Sequence, residues 1–329
     1  CIANKVQKII HISALGIEQG QTWYARSKMA IEEALCKLEI DHTIIRPSMV
    51  YGSGSYGGSS LFRALAAMPG AVFLPGKGQQ LLQPIHVDDV TQLVAKSLTV
   101  KGRHLVYAVG AEKISLKNFL LVTRSWLGFK RAPVIAIPMR LLKWVSQIGN
   151  KIYNATISST ALDMIQTDNI ASAQQQEHLI KTLGYKPAGF SEKMHAMVSS
   201  VQDRWHARIA LIRPLLILSI AFLWIISGGA SLINYKQSSL ILLNSNLHFL
   251  SAATFIIPAA IIDIILGFAT LLRYRLQLVG VIQILLIIFY SSILTLTQGA
   301  LWLDPFASLV KNIPILCATL VMIVIEDRR

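Results

Sequence analysis

Charged side chains are scarce in this sequence. Only 15% of its 329 residues are Asp, Glu, Lys or Arg, whereas 53% are hydrophobic, and the mean hydropathy is +0.52. A composition this apolar excludes a purely soluble protein. The scarcity is uneven, because residues 1–208 mix apolar, polar and charged types while residues 209–329 carry long apolar runs. We therefore predict a soluble domain at 1–204 and a membrane domain at 205–329.

Cysteine is scarce as well. The three cysteines are Cys1, Cys36 and Cys317; they lie far apart, form no C-x-x-C pair and join no His/Cys cluster with metal-ligand spacing. This pattern argues against a disulfide framework and a zinc site. We predict no metal site.

Acidic residues are few, 17 against 31 Lys and Arg, which gives a formal net charge of +14. A basic balance suits nucleic acid, a membrane surface, or the cytoplasmic flanks of membrane helices. The sequence has no block of five or more like charges and no DNA- or RNA-binding signature. We therefore predict a lipid bilayer as a partner, and no nucleic acid.

Four apolar stretches follow one another in the C-terminal part. Each is close to the ~20 residues that a helix needs to cross ~30 Å of hydrocarbon. The sequence thus predicts an all-α four-helix transmembrane domain, in which Lys311 extends to the headgroups. The stretches are Pro214–Ile233, Phe249–Leu272, Leu276–Thr297 and Phe306–Ile325.

The basic residues around these stretches predict an orientation. Two of the loops offer only Lys236 and Lys311. Because Lys and Arg concentrate on the cytoplasmic side, both termini and the soluble domain should be cytoplasmic, in a multi-pass protein of the cell (inner) membrane. The arginines of the other flanks are Arg204, Arg208, Arg213, Arg273, Arg275, Arg328 and Arg329.

Two features of the apolar stretches are unusual. Asp263 lies near the middle of the second stretch, where a charge is costly, so its side chain should face the bundle or water. It is either a proton or ligand site or a hydrogen-bonded packing residue, and both readings stay open. The segment Ser227–Ser231, SGGAS, predicts a small-residue surface for close helix packing.

Strand-like and helix-like segments alternate in the N-terminal part. KIIHIS (Lys8–Ser13) has the pattern of a buried strand, TWYARSKMAIEEALCKLE (Thr22–Glu39) that of a helix, and DHTIIRPSMVYG and GRHLVYAVG those of further strands. Ser115 is a predicted cap of a later helix. The alternation predicts an α/β fold with a partial doubly wound Rossmann-type parallel sheet. The apolar positions at helical spacing in the first helix are Ala30, Ile31, Ala34, Leu35 and Leu38.

Three residues form a candidate acid–base site. Ser13 ends the first strand, and Tyr24 and Lys28, four residues apart, share one face of the following helix. A nearby ammonium stabilises a phenolate and lowers the tyrosine pKa from about 10. A serine hydroxyl would hold a substrate oxygen while a nicotinamide moves a hydride. Taken alone, Y-x-x-x-K also fits a solvated Tyr/Lys pair on an exposed helix.

The motifs HISALG, YARSK, IIRPSMVYG and PIHVDDV, in this order, resemble those of the extended and atypical short-chain dehydrogenases/reductases. The resemblance covers roughly residues 5–200. It is strongest to the NAD-dependent epimerase/dehydratase-like branch similar to the 39-kDa accessory subunit of respiratory complex I. KTLGYKPAGFSEKM (Lys181–Met194) is similar to that family's C-terminal segment.

The resemblance implies roles for individual residues. It implies Tyr24 as the catalytic acid/base, Lys28 as a contact of the cofactor ribose that also tunes the tyrosine, and Ser13 as the substrate-orienting hydroxyl. Pro47 and Ser48 would lie beside the nicotinamide of NAD or NADP.

The resemblance also covers residues with a different role. His86 and Asp89, in PIHVDDV, look like a motif with a mainly architectural role. Atypical members often lack the catalytic tyrosine and only bind cofactor, whereas this chain keeps it, which favours activity.

The loop YGSGSYGGSS contains a G-x-G-x-x-G at Gly52, Gly54 and Gly57. A pyrophosphate loop ends the first strand of its unit and has an acidic residue about 20 positions on, but no Asp or Glu follows Gly57 at that distance. The family also places its nucleotide fingerprint well before the Y-x-x-x-K pair, which here precedes this loop. We therefore predict a mobile loop after the sixth strand, with Tyr51, Gly52 and Gly54 on the substrate side and the glycines tolerating unusual backbone angles.

The nucleotide fingerprint and strands one to four are expected upstream of Cys1. Without those strands, KIIHIS has an unpaired apolar edge. The residue that selects between NAD and NADP follows strand two in this family, so the cofactor is expected to be either.

The membrane part has a resemblance of its own. LWIISGGASL, DIILGFATLL and WLDPFASLVKNIPIL are similar to the DoxX-like four-helix family over about residues 209–326. Asp304 and Pro305 followed by Ala307 depart from the glycine expected near the Pro-Phe pair. The family name implies kinship with a quinone-reducing membrane subunit, and the fusion suggests a membrane-tethered reductase.

Two functions fit these observations. One is a membrane-anchored NAD(P)-dependent oxidoreductase or epimerase acting on a small molecule, with a lipid or quinone among the candidates. The other is a non-catalytic nucleotide-binding or assembly protein of a membrane (respiratory-type) complex. The sequence names neither the substrate nor the oligomeric state.

Overall fold

The computed structural model describes residues 4–20, 22–54, 58–141, 167–236, 239, 252–305 and 307–326. The chain divides into two compact units, Cys1–Ala210 and Leu211–Arg329. All strands among the described residues belong to the first unit, and the described elements of the second are helices.

The first unit alternates strands and helices. Its strands are β1 (Lys8–Ile12), β2 (Asp41–Pro47), β3 (Val50–Tyr51), β4 (Val72–Pro75), β5 (Leu81–Leu82), β6 (Ile85–His86), β7 (Arg103–Ala108), β8 (Ile114–Ser115) and β9 (Val134–Ile137). Its helices are α1 (Trp23–Cys36), α2 (Gly58–Ala66), α3 (Val87–Ser97), α4 (Leu116–Trp126), α5 (Ala173–Leu183) and α6 (Phe190–Ala196).

Three parallel strands form the main sheet in the order β1-β2-β7. Helix α1 connects β1 to β2 and begins after Thr22, whose hydroxyl oxygen accepts the amide of Ala25 at 3.2 Å. Across β2 and β7, Arg46 pairs with Tyr107. Parallel strands joined by helices confirm the predicted Rossmann-type α/β fold.

Strand β1 lies at the edge of this sheet and pairs only with β2 among the described residues. The sequence predicted a buried strand, but the β1 residues are half-buried and Ile12 is exposed. The reason is that β1 has a neighbouring strand on one side only. The expectation of an unpaired edge therefore agrees with the described part of the sheet.

Helix α1 ends at Cys36 rather than Glu39, and of the five apolar positions at helical spacing only Leu35 is buried. Its buried residues are Ala25, Glu32 and Leu35, so a carboxylate replaces part of the expected apolar face. Helical spacing alone does not distinguish a packed apolar face from an exposed one. The predicted positions that are exposed are Ala30, Ile31 and Ala34.

Two cores support the sheet. One packs Ile45 of β2 and Val106 of β7 against Leu93 of α3. The other is aromatic, with the rings of Phe119 and Phe190 4.7 Å apart. Helix α4 begins at the predicted cap, because the Ser115 hydroxyl accepts the amide of Asn118 at 3.3 Å.

The second unit consists of apolar helices. The helices are α7 (Val201–Ile233, which begins in the first unit), α8 (Ala252–Leu271), α9 (Leu276–Thr297) and α10 (Asn312–Ile325), with a 3-10 helix at Gly299–Trp302. Helices α7 and α9 are long and apolar enough to cross a membrane, and α8 and α10 are shorter apolar helices in the part described.

Two of the predicted stretches begin at a different residue from the helix that contains them. Helix α7 begins before Pro214, which lies inside it. Helix α10 begins at Asn312 rather than Phe306, because 307–311 form turns and Ala307 has a left-handed backbone. Residues 249–251, the start of the second stretch, lie outside the described residues.

Glycines bring α7 and α8 close together. A Cβ on Gly228 would lie 2.5 Å from the carbonyl oxygen of Ala260, whereas a Cβ on Gly229 would meet nothing within 4 Å. A Cβ on Gly267 would lie 2.8 Å from the backbone nitrogen of Ile225. This contact agrees with the packing surface predicted from SGGAS, and Gly228 is the residue that makes it.

Candidate functional site

The carboxyl ends of β1, β2 and β7 lie at one edge of the parallel sheet, where ligands of open α/β sheets bind. The amide of Ser13 donates to the Ile45 carbonyl at 2.7 Å, which extends the β1–β2 ladder by one residue. The amide of Ser48 likewise donates to the Ala108 carbonyl at 3.0 Å. Ser13 and Ser48 therefore both belong to this edge.

Lys28 is fixed at the same edge. Its Nζ donates to the Ile12 carbonyl oxygen at 2.8 Å and lies 5.8 Å from the centre of the Tyr24 ring. The last residue of β1, one turn of α1 and the ammonium are thus brought together, and Ser13 follows Ile12 in the chain. This arrangement places the three predicted acid–base residues around the carboxyl end of β1.

Tyr24 differs from the prediction in its electrostatics. Its side chain is 43% exposed, and burial raises its pKa above 10.0. The predicted lowering by Lys28 is absent because the ammonium lies over the ring and donates to Ile12, and no hydrogen bond joins it to the Tyr24 hydroxyl in the described residues. In this arrangement Tyr24 is a protonated phenol at neutral pH.

Ser13 is 3% exposed and lies beside a buried carboxylate that the sequence analysis missed. Burial opposes ionisation of Glu32, but the hydrogen bonds and the charge of Arg46 outweigh it, and the pKa of Glu32 is lowered. The Ser13 hydroxyl oxygen is buried and has no hydrogen-bond partner among the described residues, so it is available to a substrate oxygen.

Arg46 holds Glu32 in place. Its Nε donates to Glu32 Oε1 at 3.0 Å, and an Nη donates to the other carboxylate oxygen, so the pair is bidentate. Arg46 also contacts Glu18, and its Nη1 donates to the Tyr107 hydroxyl oxygen at 3.1 Å. An arginine inside the apolar run TIIRPSMV is the sequence signal that could have revealed this network.

His11 of β1 lies near the charges of Lys28 and Glu32. Burial and then the Lys28 charge lower its pKa below 6.5, against the opposite effect of Glu32. Its Nε2 is buried and has no hydrogen-bond partner in the described part of the chain. His11 is therefore neutral at neutral pH.

The two residues predicted beside a nicotinamide are both buried. Pro47 is the last residue of β2 and pairs with Ala108. The Ser48 hydroxyl donates a hydrogen bond to the Gln83 carbonyl oxygen, which links the end of β2 to the segment before β6. The hydroxyl oxygen can still accept a hydrogen bond.

The glycine loop has a different construction from the predicted one. Tyr51 is 7% exposed and packs edge-on against His86 and Phe190, so it is a core residue. Gly52 and Gly54 do not have positive φ angles. A Cβ on Gly52 would lie 2.6 Å from Val87 Cγ1, so close approach rather than unusual backbone angles requires this glycine. Gly57 and the rest of 55–57 lie outside the described residues.

His86 and Asp89 hold segments of the fold together. His86 Nδ1 accepts the amide of Asp88 at 3.2 Å and begins α3. The buried Asp89 carboxylate accepts the Tyr185 hydroxyl at 2.7 Å and the Ala188 amide at 3.2 Å. These contacts agree with an architectural role.

Asp263 has a polar partner among the described residues of the second unit. Its side chain is buried in α8, and Oδ1 accepts the Tyr290 hydroxyl of α9 at 3.2 Å. A Cβ added to Gly228 would lie 3.1 Å from Asp263 Cβ, so the carboxylate is next to the close contact of α7 and α8. The geometry fits a hydrogen-bonded packing residue and leaves the proton-site reading a prediction.

An ion cluster lies at one end of the helices. Glu326, 3% exposed, accepts from Arg213 and from Arg273, whose Nη2 is 3.0 Å from both carboxylate oxygens. Burial opposes its ionisation, but the hydrogen bond from Arg213 and the two charges outweigh it and lower the pKa of Glu326. The described residues hold no group of three or more His, Cys, Asp or Glu arranged for a metal ion.

A parallel α/β domain followed by a set of apolar helices defines a Rossmann-type membrane protein. Residues 221–320 match the model of the DoxX-like family. A comparison with curated proteins finds no match.

Several solved structures are similar to the chain. One is UDP-glucuronic acid 4-epimerase from Bacillus cereus with UDP-glucuronic acid and NAD, 17% identical over 62% of this chain and 62% of that chain, TM-score 0.42. Another is UDP-glucose 4-epimerase from Thermus thermophilus with NAD, 21% identical over 43% and 54%, TM-score 0.35. A third is dTDP-glucose 4,6-dehydratase from Streptomyces venezuelae with NAD, 16% identical over 59% and 61%, TM-score 0.42.

The chain spans less than two thirds of the length of these three proteins. The DoxX-like match falls on the C-terminal segment whose motifs resemble that family.

Proposed function

We propose that this protein is a membrane-anchored NAD(P)-dependent oxidoreductase or epimerase-like enzyme. The observation that carries the proposal is the hydrogen bond from Lys28 Nζ to the Ile12 carbonyl, 2.8 Å long. It holds the ammonium at the ligand-binding edge of the sheet, beside Tyr24 and next to Ser13.

The proposed roles follow from the protonation states. When bound, a nicotinamide cofactor supplies or accepts the hydride. Tyr24, with a raised pKa, donates its phenolic proton to a substrate carbonyl oxygen and takes it back in the reverse direction. Lys28 retains N–H groups for a ribose hydroxyl in addition to its bond to Ile12. Ser13, whose hydroxyl has no partner among the described residues, orients the substrate oxygen.

The residues present fit the nicotinamide end of the cofactor. Pro47 and Ser48 lie at the carboxyl edge, and the Ser48 oxygen can accept a hydrogen bond in addition to donating to Gln83. We do not propose that the 51–60 loop binds the pyrophosphate, because no acidic residue follows the loop at the spacing of a ribose contact. Either NAD or NADP satisfies these contacts.

Four membrane crossings are part of the proposal. Crossings that alternate in direction bring the start of the first, the end of the second and the end of the fourth to one side. The contacts of Arg213, Arg273 and Glu326 support this arrangement, because those residues stand at these three positions. The excess of arginine there supports a cytoplasmic side. The substrate class we propose is a small molecule, with a lipid or quinone among the candidates.

Replacing Tyr24 by Phe tests the enzyme. Loss of a positioned acid lowers turnover by roughly 10²–10⁴-fold while cofactor binding persists. The measurement compares metabolite profiles and NADH oxidation in membranes from cells carrying wild type, Tyr24→Phe, or Tyr274→Phe, a control at an exposed tyrosine.

The same experiment addresses the second candidate, a non-catalytic nucleotide-binding or assembly protein. The exposed side chain of Tyr24, and the ammonium of Lys28 that bonds to Ile12 rather than to the Tyr24 hydroxyl, favour that reading. If Tyr24→Phe matches wild type in every metabolite while a deletion strain differs, the non-catalytic function replaces the enzyme.

A further inference from the structure

An open groove of about 470 Å³ lies between α9, α10 and the 3-10 helix of the second unit. This volume is in the range of small-ligand sites. Its wall changes character along its length. The residues that define the two ends are Ile287, Ile288 and Leu316, which are apolar, and Thr295, Trp302 and Asn312, which are polar or aromatic.

The two ends are separated along α9. From Ile287 to Thr295 a helix rises about 12 Å. The polar side chains lie toward one end of the groove only, where they are mixed with Leu296, Leu309 and Ile313. A mainly apolar groove with polar groups at one end matches an amphiphile rather than a uniformly polar ligand. Trp302 at the polar end has the amphipathic ring typical of the membrane–water interface.

The polar groups of the groove bind one another. Asn312 Nδ2 donates to Ser291 Oγ at 2.9 Å, and Trp302 Nε1 donates to Thr295 Oγ1 at 3.1 Å. The Thr295 hydroxyl in turn donates to the Ser291 carbonyl at 2.7 Å. Because these groups already have hydrogen-bond partners, a polar ligand in the groove would gain few hydrogen bonds and would lose its hydration. This favours a hydrocarbon chain inside the groove.

Opposite charges flank the polar end in the sequence. Asp304 is two residues from Trp302 and is half-buried, and Lys311 precedes Asn312 and is exposed. The Asp304 carboxylate accepts from Ser308, whose amide is 2.7 Å away, and the pKa of Asp304 is lowered first by the Ser308 hydroxyl and also by Lys311. One ionised carboxylate and one ammonium complement a head group that carries both signs.

We propose that this groove binds one acyl chain of a zwitterionic phospholipid, with the lipid phosphate at Lys311 and the lipid ammonium at Asp304. This proposal depends on the part of the proposed function that places the helices in a membrane. It does not depend on the proposed enzymatic reaction. The site makes the lipid a resident component of the helical domain.

Photolabelling tests this site. The probe is phosphatidylethanolamine with a diazirine at the end of one acyl chain, incorporated with the whole protein into phospholipid nanodiscs, and labelled peptides are mapped by mass spectrometry. We expect labelling concentrated on the parts of α9 and α10 around Ile287 and Leu316. Leu316→Trp fills the apolar end and should lower that labelling roughly tenfold, the equivalent of about 1.4 kcal/mol.

Val321→Trp is the matched control, since Val321 is exposed on the same helix and does not line the groove. It should leave the labelling unchanged. Ile313→Trp, at an exposed lining position, gives a second variant if Leu316→Trp does not fold. Lys311→Gln and Asp304→Asn should each remove the preference for phosphatidylethanolamine over phosphatidylglycerol carrying the same diazirine.

Uniform labelling of all exposed helix faces, or equal labelling in Leu316→Trp, Ile313→Trp and wild type, would overturn the proposal. Carbonate extraction of the same membranes separates its failure from that of the proposed function. A protein that is extracted from the membrane overturns both, whereas one that stays in the membrane with uniform labelling overturns only the lipid site.

Discussion

The buried pair of Glu32 and Arg46 gives the sharpest prediction for the soluble domain. Both residues are 5% exposed, and the two guanidinium–carboxylate bonds join α1 to β2 directly beside Ser13. Glu32→Ala removes the carboxylate and leaves the arginine charge buried. The neighbour Glu33 is exposed on the same helix, so Glu33→Ala makes the same chemical change without the contact.

The expected magnitude follows from the contacts. Removing one partner of a buried ion pair costs roughly 3–5 kcal/mol. Arg46 keeps Glu18, but that side chain is 41% exposed, and such a pair contributes about 0–1 kcal/mol. We therefore expect a loss of about 3 kcal/mol, or a roughly hundredfold larger opening equilibrium for β2 and α1.

Hydrogen–deuterium exchange on the whole protein measures this opening peptide by peptide. The β2 and α1 amides should exchange roughly a hundredfold faster in Glu32→Ala, and at the wild-type rate in Glu33→Ala. The double variant Glu32→Ala/Arg46→Met should recover part of the loss, because it also removes the unpaired charge. Equal exchange in the two single variants would refute the reasoning.

Three further predictions concern pH, packing and the ion cluster. The pKa of Glu32 is lowered from 4.5, so the stabilisation it provides should be complete above pH 4.5 and should disappear as the pH falls through the lower folded-state pKa. The β2 amides should therefore exchange faster on acidification, after correction for intrinsic rates. Slower exchange would contradict this prediction. Gly228→Val should lower the detergent melting temperature through an overpacking cost of roughly 1–3 kcal/mol, while Gly229→Val should not, and equal melting would count against the α7–α8 contact. Glu326→Gln should cost about 1.5–3 kcal/mol and raise protease cleavage at the 272–275 link, and unchanged cleavage would show that the cluster does not hold the helix ends.

The sequence predicted those structural features that depend on residues close together in the chain. Ser115 and the start of α4 follow from capping chemistry, and the ends of α9 follow from apolar length. The parallel sheet follows from the alternation of strands and helices. These features depend on neighbours in the chain.

The errors occurred where distant residues decide the structure. Ile31 has helical spacing but is exposed, because spacing does not say which side another element covers. Tyr51 lies in a loop-like motif but is buried against Phe190, a residue far along the chain. The link between Arg46 and Glu32 was missed for the same reason, since the sequence shows a charge in a strand but not its partner.

The sequence predicted the relative placement of Ser13, Tyr24 and Lys28 but not their electrostatics; their roles stay predictions. The i, i+4 spacing was sufficient to put Tyr24 and Lys28 on one helix face, and the chain order put Ser13 at the end of β1. The direction of the ammonium was not predictable, because a carbonyl of β1 competes with the phenol for its hydrogen bonds.

A structure of the whole protein with NADH bound tests the central claim most directly. The account predicts the nicotinamide at the carboxyl ends of β1 and β2, with the ribose on the ammonium of Lys28 and the phenol of Tyr24 turned toward the reacting carbon. A dinucleotide bound elsewhere, with that phenol pointing into bulk water, would contradict it.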